Sequence, residues 1–308
     1  MSEDWQVLRS LFPAEWEELG RSTGAVTRLR GFNSLNDLFR TLLLHVGCGW
    51  SLRETVVQAR LAGIADISDV TLLNRLRQSE AWLKHLCQLL WKANGVNLEP
   101  VLSGYPVRLV DATVVKEPGK TGSQWRIHYS MRLPSLECDQ FDLTAVKGKN
   151  TGEKLGRFCF QPGELVLAEA GYSNPPGVAA VVGEGADLCV RLNRSALPLV
   201  GEKGRPFPLL KKVQTMRRAG QAAEWPVWVR HGDQLIAGRL CGIRKSEEAV
   251  RRAQRKLVVR QQDGKARDTP EAREYACYVL VFTTLPRNRT TSRQVLECAF
   301  WDGRWSIR

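Results

Sequence analysis

The sequence predicts a mixed α/β chain with a helical N-terminal part and a basic, β-rich insertion. Three observations lead there. Residues 1–104 carry their apolar side chains at helical spacing. From Tyr105 the texture changes to short apolar or alternating runs broken by Gly and Pro, the pattern of strands. Residues 193–274 mix short β-like runs with dense Lys and Arg. The expected division is a helical domain over 1–104, an α/β core over 105–192 and 275–308, and an insertion over 193–274.

In the helical part, Leu38 to Leu44 is an apolar stretch closed by Gly47 and Gly49. Ser51 followed by Glu54 has the form of a capping box, and the helix it opens should run to about Leu61 and end at Gly63. Ser68 opens another helix carrying Leu72, Leu76, Trp82, Leu83, Leu86 and Leu90. Two short helices joined through Ala62, Gly63 and Ile64 have the outline of a helix-turn-helix, with Arg75 and Arg77 placed to reach phosphates. An ordinary helical bundle with solvated arginines fits the same pattern and is slightly preferred on pattern alone.

In the α/β part, Val107 to Val115 reads as a buried strand in which apolar residues, Arg108 apart, run into Asp111, which should sit where the strand leaves the core. A second stretch has the same build: Leu165 to Ala168 runs into Glu169, followed by Gly171 and Tyr172. Two strands that each deliver a carboxylate to one place provide hard oxygen ligands for a metal. Between them, Gln124 to Arg132 alternates like a half-exposed strand and Phe141 to Val146 gives a third. A helix near Glu153 to Phe158 should lead to the Glu169 strand. Asn174 starts another helix, and Asp187 to Leu192 is a further buried strand. Tyr275 to Leu285 should return the chain to the sheet, with a last helix near Ser292.

The insertion holds β-like runs at Trp225 to Arg230, Gln234 to Leu240 and Lys256 to Val259. Its basic clusters include Lys211 with Lys212, Arg217 with Arg218, and Arg251 with Arg252. Lys and Arg so concentrated, with few compensating acids, favour a phosphate backbone as partner over a merely solvated face. The whole chain of 308 residues carries a net charge of +13, which also favours a polyanion such as nucleic acid. No apolar run approaches the roughly 18–20 residues that span a bilayer. The acidic start, Met1 to Trp5, is unlike a signal peptide, so a cytoplasmic protein is expected. Eight scattered cysteines without a Cys-x-x-Cys pair read as free thiols, not a zinc site. His128, between Trp125 and Tyr129, is expected to pack or to contact phosphate, and Trp225 and Trp228 to pack in the core, with stacking on an unpaired base as the alternative.

Taken in order, Val110-Asp111-Ala112-Thr113, Trp125-Arg126-Ile127-His128-Tyr129, Leu167-Ala168-Glu169-Ala170-Gly171-Tyr172, Asp187 to Leu192 and Val295 to Ile307 resemble the DDE transposases of bacterial insertion sequences, in the group with a β-strand insertion before the third catalytic acid. The resemblance implies an RNase H-like core interrupted by that insertion, behind an all-α N-terminal domain. It implies DNA as substrate, DNA strand cleavage and transfer, a homodimer on DNA, and two Mg²⁺ ions (Mn²⁺ substituting) about 3.5–4 Å apart on carboxylates that include Asp111 and Glu169. Glu169 stands where the family has an Asp, and a misplacement near 1 Å can cost on the order of 100-fold. Against the family's terminal Tyr-Arg-Glu-Lys pattern, Trp301 stands for the Tyr, Arg304 falls on the Arg position as a DNA contact, and Arg308 falls on the Glu position. An arginine cannot ligate a metal. The expectation is a truncated copy lacking the third acid. Two alternatives follow: an inactive remnant that only binds DNA, and a general RNase H-like nuclease.

Overall fold

The computed structural model describes residues 2–93, 101–116, 124–133, 135–262 and 269–298. They fall into two compact units, one up to residue 93 and one from residue 101.

The first unit is helical: α1 (Ser2–Ser10), α2 (Trp16–Ser22), α3 (Leu35–Cys48), α4 (Leu52–Leu61), α5 (Asp69–Gln78) and α6 (Glu80–Ala93). Serine hydroxyls start three of them, with Ser34, Ser51 and Ser68 accepting from the amides of Asp37, Glu54 and Thr71. Each cap satisfies an amide that the first turn leaves without a partner. Phe39, Trp16 and Trp82 stack at the centre, with ring centroids 5.1 Å apart for both Phe39 pairs. The single helix expected from Ser68 is two, because Ser79 caps α5 and is itself buried. Gly63 takes φ 66° at the α4–α5 turn, a left-handed conformation that favours glycine.

The second unit is built on one nine-stranded sheet of order β3-β2-β1-β4-β5-β9-β8-β7-β6. Its strands are β1 (Val107–Lys116), β2 (Gln124–Leu133), β3 (Glu137–Ala145), β4 (Leu165–Ala168), β5 (Asp187–Arg191), β6 (Leu199–Val200), β7 (Ala222–His231), β8 (Gln234–Arg244) and β9 (Tyr278–Thr283). Strands β1, β2 and β3 form an antiparallel meander, whereas β4 runs parallel to β1 and β5 parallel to β4. The β4–β5 crossover carries α7 (Pro175–Gly183), capped by Asn174 and started by prolines at its first turn. Alternation along β4 sends Val166 to the cluster that contains Val178 and Val181 of α7. Leu165 and Leu167 go to the opposite cluster, with Val295 and Leu296 of α11 (Ser292–Cys298). Burial on both faces explains the near-continuous apolar reading of β4, β5 and β9.

Several expectations change at this level. Lys256 to Val259 is not a strand but part of α9 (Glu247–Gln262). Leu257, Val258 and Val259 look β-like in isolation. The helix is set instead by Ser246 accepting from the Ala249 amide, by Glu247 and Glu248 in the first turn, and by the Glu248–Arg252 pair at 3.2 Å. The region over 193–274 is therefore mixed, with α8 (Leu209–Val213), α9 and α10 (Pro270–Tyr275) beside β6, β7 and β8. The β7–β8 hairpin does not stand apart, since β8 pairs with β9 and extends the same sheet. Tyr275 closes α10 rather than opening β9, because Thr269 and Pro270 start a helix there. The helix expected at Glu153 to Phe158 is one 3-10 turn, Leu155–Arg157. Strand β3 starts earlier than expected, at Glu137.

Arg108, the one polar break in the β1 run, is 1% exposed. Its guanidinium donates to both Glu164 oxygens at 2.9 and 3.1 Å, to Asp139 at 2.6 Å and to Ser130 at 2.8 Å. This network ties β1 to the start of β4 and to β2 and β3. Burial alone would raise the Glu164 carboxyl, but hydrogen bonds from Arg108 and the Gln161 amide outweigh it and hold it below its ordinary value. A carboxylate with a depressed folded pKa stabilises above its unfolded value, about 4.3, and loses that contribution as pH falls through the folded one. Urea midpoints of the native chain should fall below about pH 4, and Glu164→Gln should make that acid limb shallower. An unchanged limb would place the loss in other carboxylates.

Candidate functional site

Asp111 lies within β1 rather than at its end, because β2 continues the pairing as far as Lys116. Burial nevertheless drops just beyond it: Val110 is fully buried and Thr113 is exposed. The expected exit from the core is thus real, while the strand carries on as a solvent-facing ribbon. Opposite Asp111 in the antiparallel ladder is Tyr129, whose hydroxyl donates to Asp111 Oδ2 at 3.2 Å. Asp111 Oδ1 accepts from the Ala112 amide at 2.7 Å.

Glu169 follows β4 directly. The parallel register pairs Leu109 with Leu167 and Val110 with Ala168, so one step further brings Asp111 beside Glu169. Neighbouring strands lie about 4.8 Å apart. Glu169 has extended backbone and precedes the 3-10 turn Ala170–Tyr172, which takes the chain away from the sheet. Both acids are half-buried. They stand at the carboxyl side of parallel strands, where open α/β sheets collect ligands.

Beside Glu169 a cavity of about 480 Å³ is lined by Arg191, Asn193, Arg194, Tyr275 and Tyr278, among others. Arg194 stacks over Tyr275 at 4.1 Å and pairs with Glu271 at 3.1 Å. Lys245 donates to the Ala276 carbonyl at 2.8 Å, and burial, then the nearby Arg191, push its ammonium down to about 8. The sequence singled out neither Arg191 nor Arg194 as a site residue. The signal was there for Arg191, an Arg closing a buried apolar strand, as Asp111 and Glu169 interrupt theirs.

The basic residues expected at DNA separate by exposure. Lys211, Lys212, Arg217, Arg218, Arg251 and Arg252 are exposed. Arg77 is exposed as well, but Arg75 is 8% exposed, donates to the Arg28 carbonyl and lies over the Phe32 ring. His128 is fully buried, with Nε2 3.0 Å from the Thr144 hydroxyl. Burial, followed by Arg157 and Arg126, holds its imidazole below its ordinary value, so the ring stays neutral near pH 7. Trp225 and Trp228 are half-buried on β7. Arg304, with Trp301 and Arg308, lies outside the described residues.

For a metal, Asp111 and Glu169 offer hard oxygen donors just beyond the last pair of β1 and β4, Val110 with Ala168. Among the described residues no group of three His, Cys, Asp or Glu closes around a cation. Magnesium fits such a place, because it keeps several waters and is commonly held by one or two carboxylates. No two of the eight cysteines form a disulfide; five are buried and Cys48, Cys87 and Cys159 are exposed. Among the described residues no helix is long and apolar enough to cross a membrane.

No family profile matches the chain. Its sequence is 28% identical over 302 residues to InsL of insertion sequence element IS186A from Escherichia coli K12, covering 96% of this chain and 80% of that protein. It is also 28% identical over 303 residues to the transposase of insertion sequence element IS421 from Escherichia coli, with the same coverage. Among solved structures, the catalytic domain of human endonuclease V overlaps 69% of this chain and 84% of its own at 13% identity. Its TM-score of 0.27 is too low for the likeness to bear on fold or chemistry. Along nearly its whole length, the chain is a relative of bacterial insertion-sequence transposases.

Proposed function

We propose that the chain binds DNA and cuts and joins its strands as an insertion-sequence transposase, with Mg²⁺ held by Asp111 and Glu169. The observation that carries this reading is the β1–β4 register, whose last pair, Val110 with Ala168, comes immediately before the two acids. The β3-β2-β1-β4-β5 order, with an antiparallel meander followed by parallel strands, supports an RNase H-like core. Mg²⁺ bound there would supply an activated oxygen nucleophile and neutralise charge on the leaving oxygen. The residues of the chain do the rest. Tyr129 holds one oxygen of Asp111, β1 carries Asp111, and Glu169 follows the last residue of β4 directly. Arg191 and Arg194 line the adjoining cavity with positive charge suited to a phosphodiester.

Lys211, Lys212, Arg217 and Arg218 form an exposed basic stretch at and after α8, and Arg251 and Arg252 add to it in sequence from α9. In this reading these residues track the phosphate backbone. Gel-shift titrations over a range of salt concentrations test it. Replacing Lys211, Lys212, Arg217 and Arg218 with Ala should flatten the slope of log affinity against log salt by about 0.9 for each phosphate no longer neutralised. It should weaken unrelated duplexes equally. A slope that does not move would show that this stretch is a solvated surface.

A further inference from the structure

We propose that α9 is a basic arm that grips the DNA being cut, within about one helical turn of the cut, from the sheet edge where Asp111 and Glu169 stand. This rests on the reading of those acids as the cleavage site and adds Arg255 and Lys256 to the DNA contacts.

Register fixes the place. One rung crosses six strands through Val110, Ala168, Val190, Phe282, Leu240 and Trp225. Asp111 and Glu169 come directly after its first two residues. Strands β1, β4 and β5 are parallel, so all three run towards this edge. Because β9 is antiparallel to β5, and β8 to β9, β8 ends at this edge and β9 begins there. Past the rung, β8 continues to Arg244, and α9 starts three residues later. The chain returns through α10 to Tyr278, the partner of Arg244. Helix α9 is therefore rooted on the edge that carries the acids. The turn holding Arg217 and Arg218 is tied to the same root. The Gly220 amide donates to the Arg244 carbonyl at 2.9 Å, and the Arg244 amide donates to the Gln221 carbonyl at 3.0 Å.

Burial divides the helix lengthwise. Ala249, Val250, Ala253 and Leu257 are half-buried, and Val250 packs on the larger cluster of the sheet. Arg251, Arg252, Arg255 and Lys256 are exposed on the other side. They form two rows of i,i+4 neighbours, with Cβ atoms about 5–6 Å apart. The acids of α9, Glu247 and Glu248, are confined to its first turn, so none interrupts these rows. A face of clustered cations is the electrostatic footprint of a polyanion. The distances fit a duplex. At about 1.5 Å per residue, the four cations lie within roughly 15 Å of the root along the helix. Four strand spacings of about 4.8 Å separate β1 from β8, roughly 19 Å in all. Duplex DNA rises about 3.4 Å per base pair, so about six pairs laid along the edge lead from Asp111 to the arm.

The test is hydroxyl-radical footprinting of the full chain on duplex carrying the ends of the encoding element, without metal. Salt titrations of binding and nicking with Mg²⁺ are measured beside it. One variant replaces Arg251, Arg252, Arg255 and Lys256 with Ala, the strongest helix former. It should lose protection within about ten base pairs of the element end and keep protection further in. Its slope of log affinity against log salt should flatten by about 0.9 for each phosphate released, up to about 3.6. A second variant, Arg251→Lys with Arg252→Lys and Arg255→Lys, keeps the charge and should keep both protection and slope. That separates lost charge from a disturbed helix. A native footprint and slope in the Ala variant would overturn the arm and leave the cleavage reading intact. Protection lost only far from the element end would overturn its placement. A native chain that protects the terminal pairs but never nicks would sink the cleavage reading, and the arm's role in cutting with it.

Discussion

In an Asp111→Asn variant, metal-dependent nicking of DNA should fall by well over the 10- to 100-fold that removal of an outer metal partner costs. The carboxylate is the feature removed, since Asn keeps the side-chain shape and can still accept from the Tyr129 hydroxyl now bonded to Asp111 Oδ2. Asp111 is half-buried and lies outside the Arg108 network, so the thermal midpoint should stay close to that of the native chain. DNA affinity without metal should also be preserved, because the exposed lysines and arginines are untouched. Measured nicking rates with Mg²⁺, beside unfolding curves, separate these effects. A variant that nicks at the native rate would remove Asp111 from the chemistry.

Arg108→Ala should be the most destabilising single change in the second unit. It leaves Glu164 and Asp139 as carboxylates without the cation that now holds them at 2.9 and 2.6 Å. Removing one partner of a buried ion pair costs about 3–5 kcal/mol. That is a large part of the roughly 5–15 kcal/mol that keeps a typical domain folded. Asp139 keeps a second pair with Arg132 at 2.9 Å, but Arg132 is half-exposed and cannot take the buried place. Denaturant unfolding should show a much lower midpoint with a similar slope. A loss below about 1 kcal/mol would mean that the network behaves like a surface pair. The change also reaches further along, because Arg108 and Glu164 hold together β1, which carries Asp111, and the start of β4, which Glu169 follows.

Much of this was legible in the sequence, for a physical reason. The first half of β1, and β4 and β5, are buried on both faces, so their apolar runs stand out, and a carboxylate interrupting such a run is conspicuous. The serine caps of α4 and α5 were equally open to reading, because each Ser stood before a periodic run. Helix α9 was not, because three adjacent apolar residues near its end imitate a strand and its exposed face is almost wholly charged. Arg108 looked like an interruption because a buried arginine is recognisable only through Glu164 and Asp139, which are distant in sequence. Arg75 deceived in the opposite sense: its place on a helix suggested exposure, and packing on Phe32 decided otherwise.

Asp111 and Glu169 are proposed to form a metal-dependent DNA-cleaving site. The measurement that tests it most directly is nicking of labelled duplex carrying the ends of the encoding element, with Mg²⁺, with Mn²⁺ and with chelator, and with Asp111→Ala as control. Nicks at the element ends that need the metal and vanish in the control are the expected result. Binding of those ends without nicking under any metal condition would contradict it, and would leave a DNA-binding protein without the chemistry of its relatives.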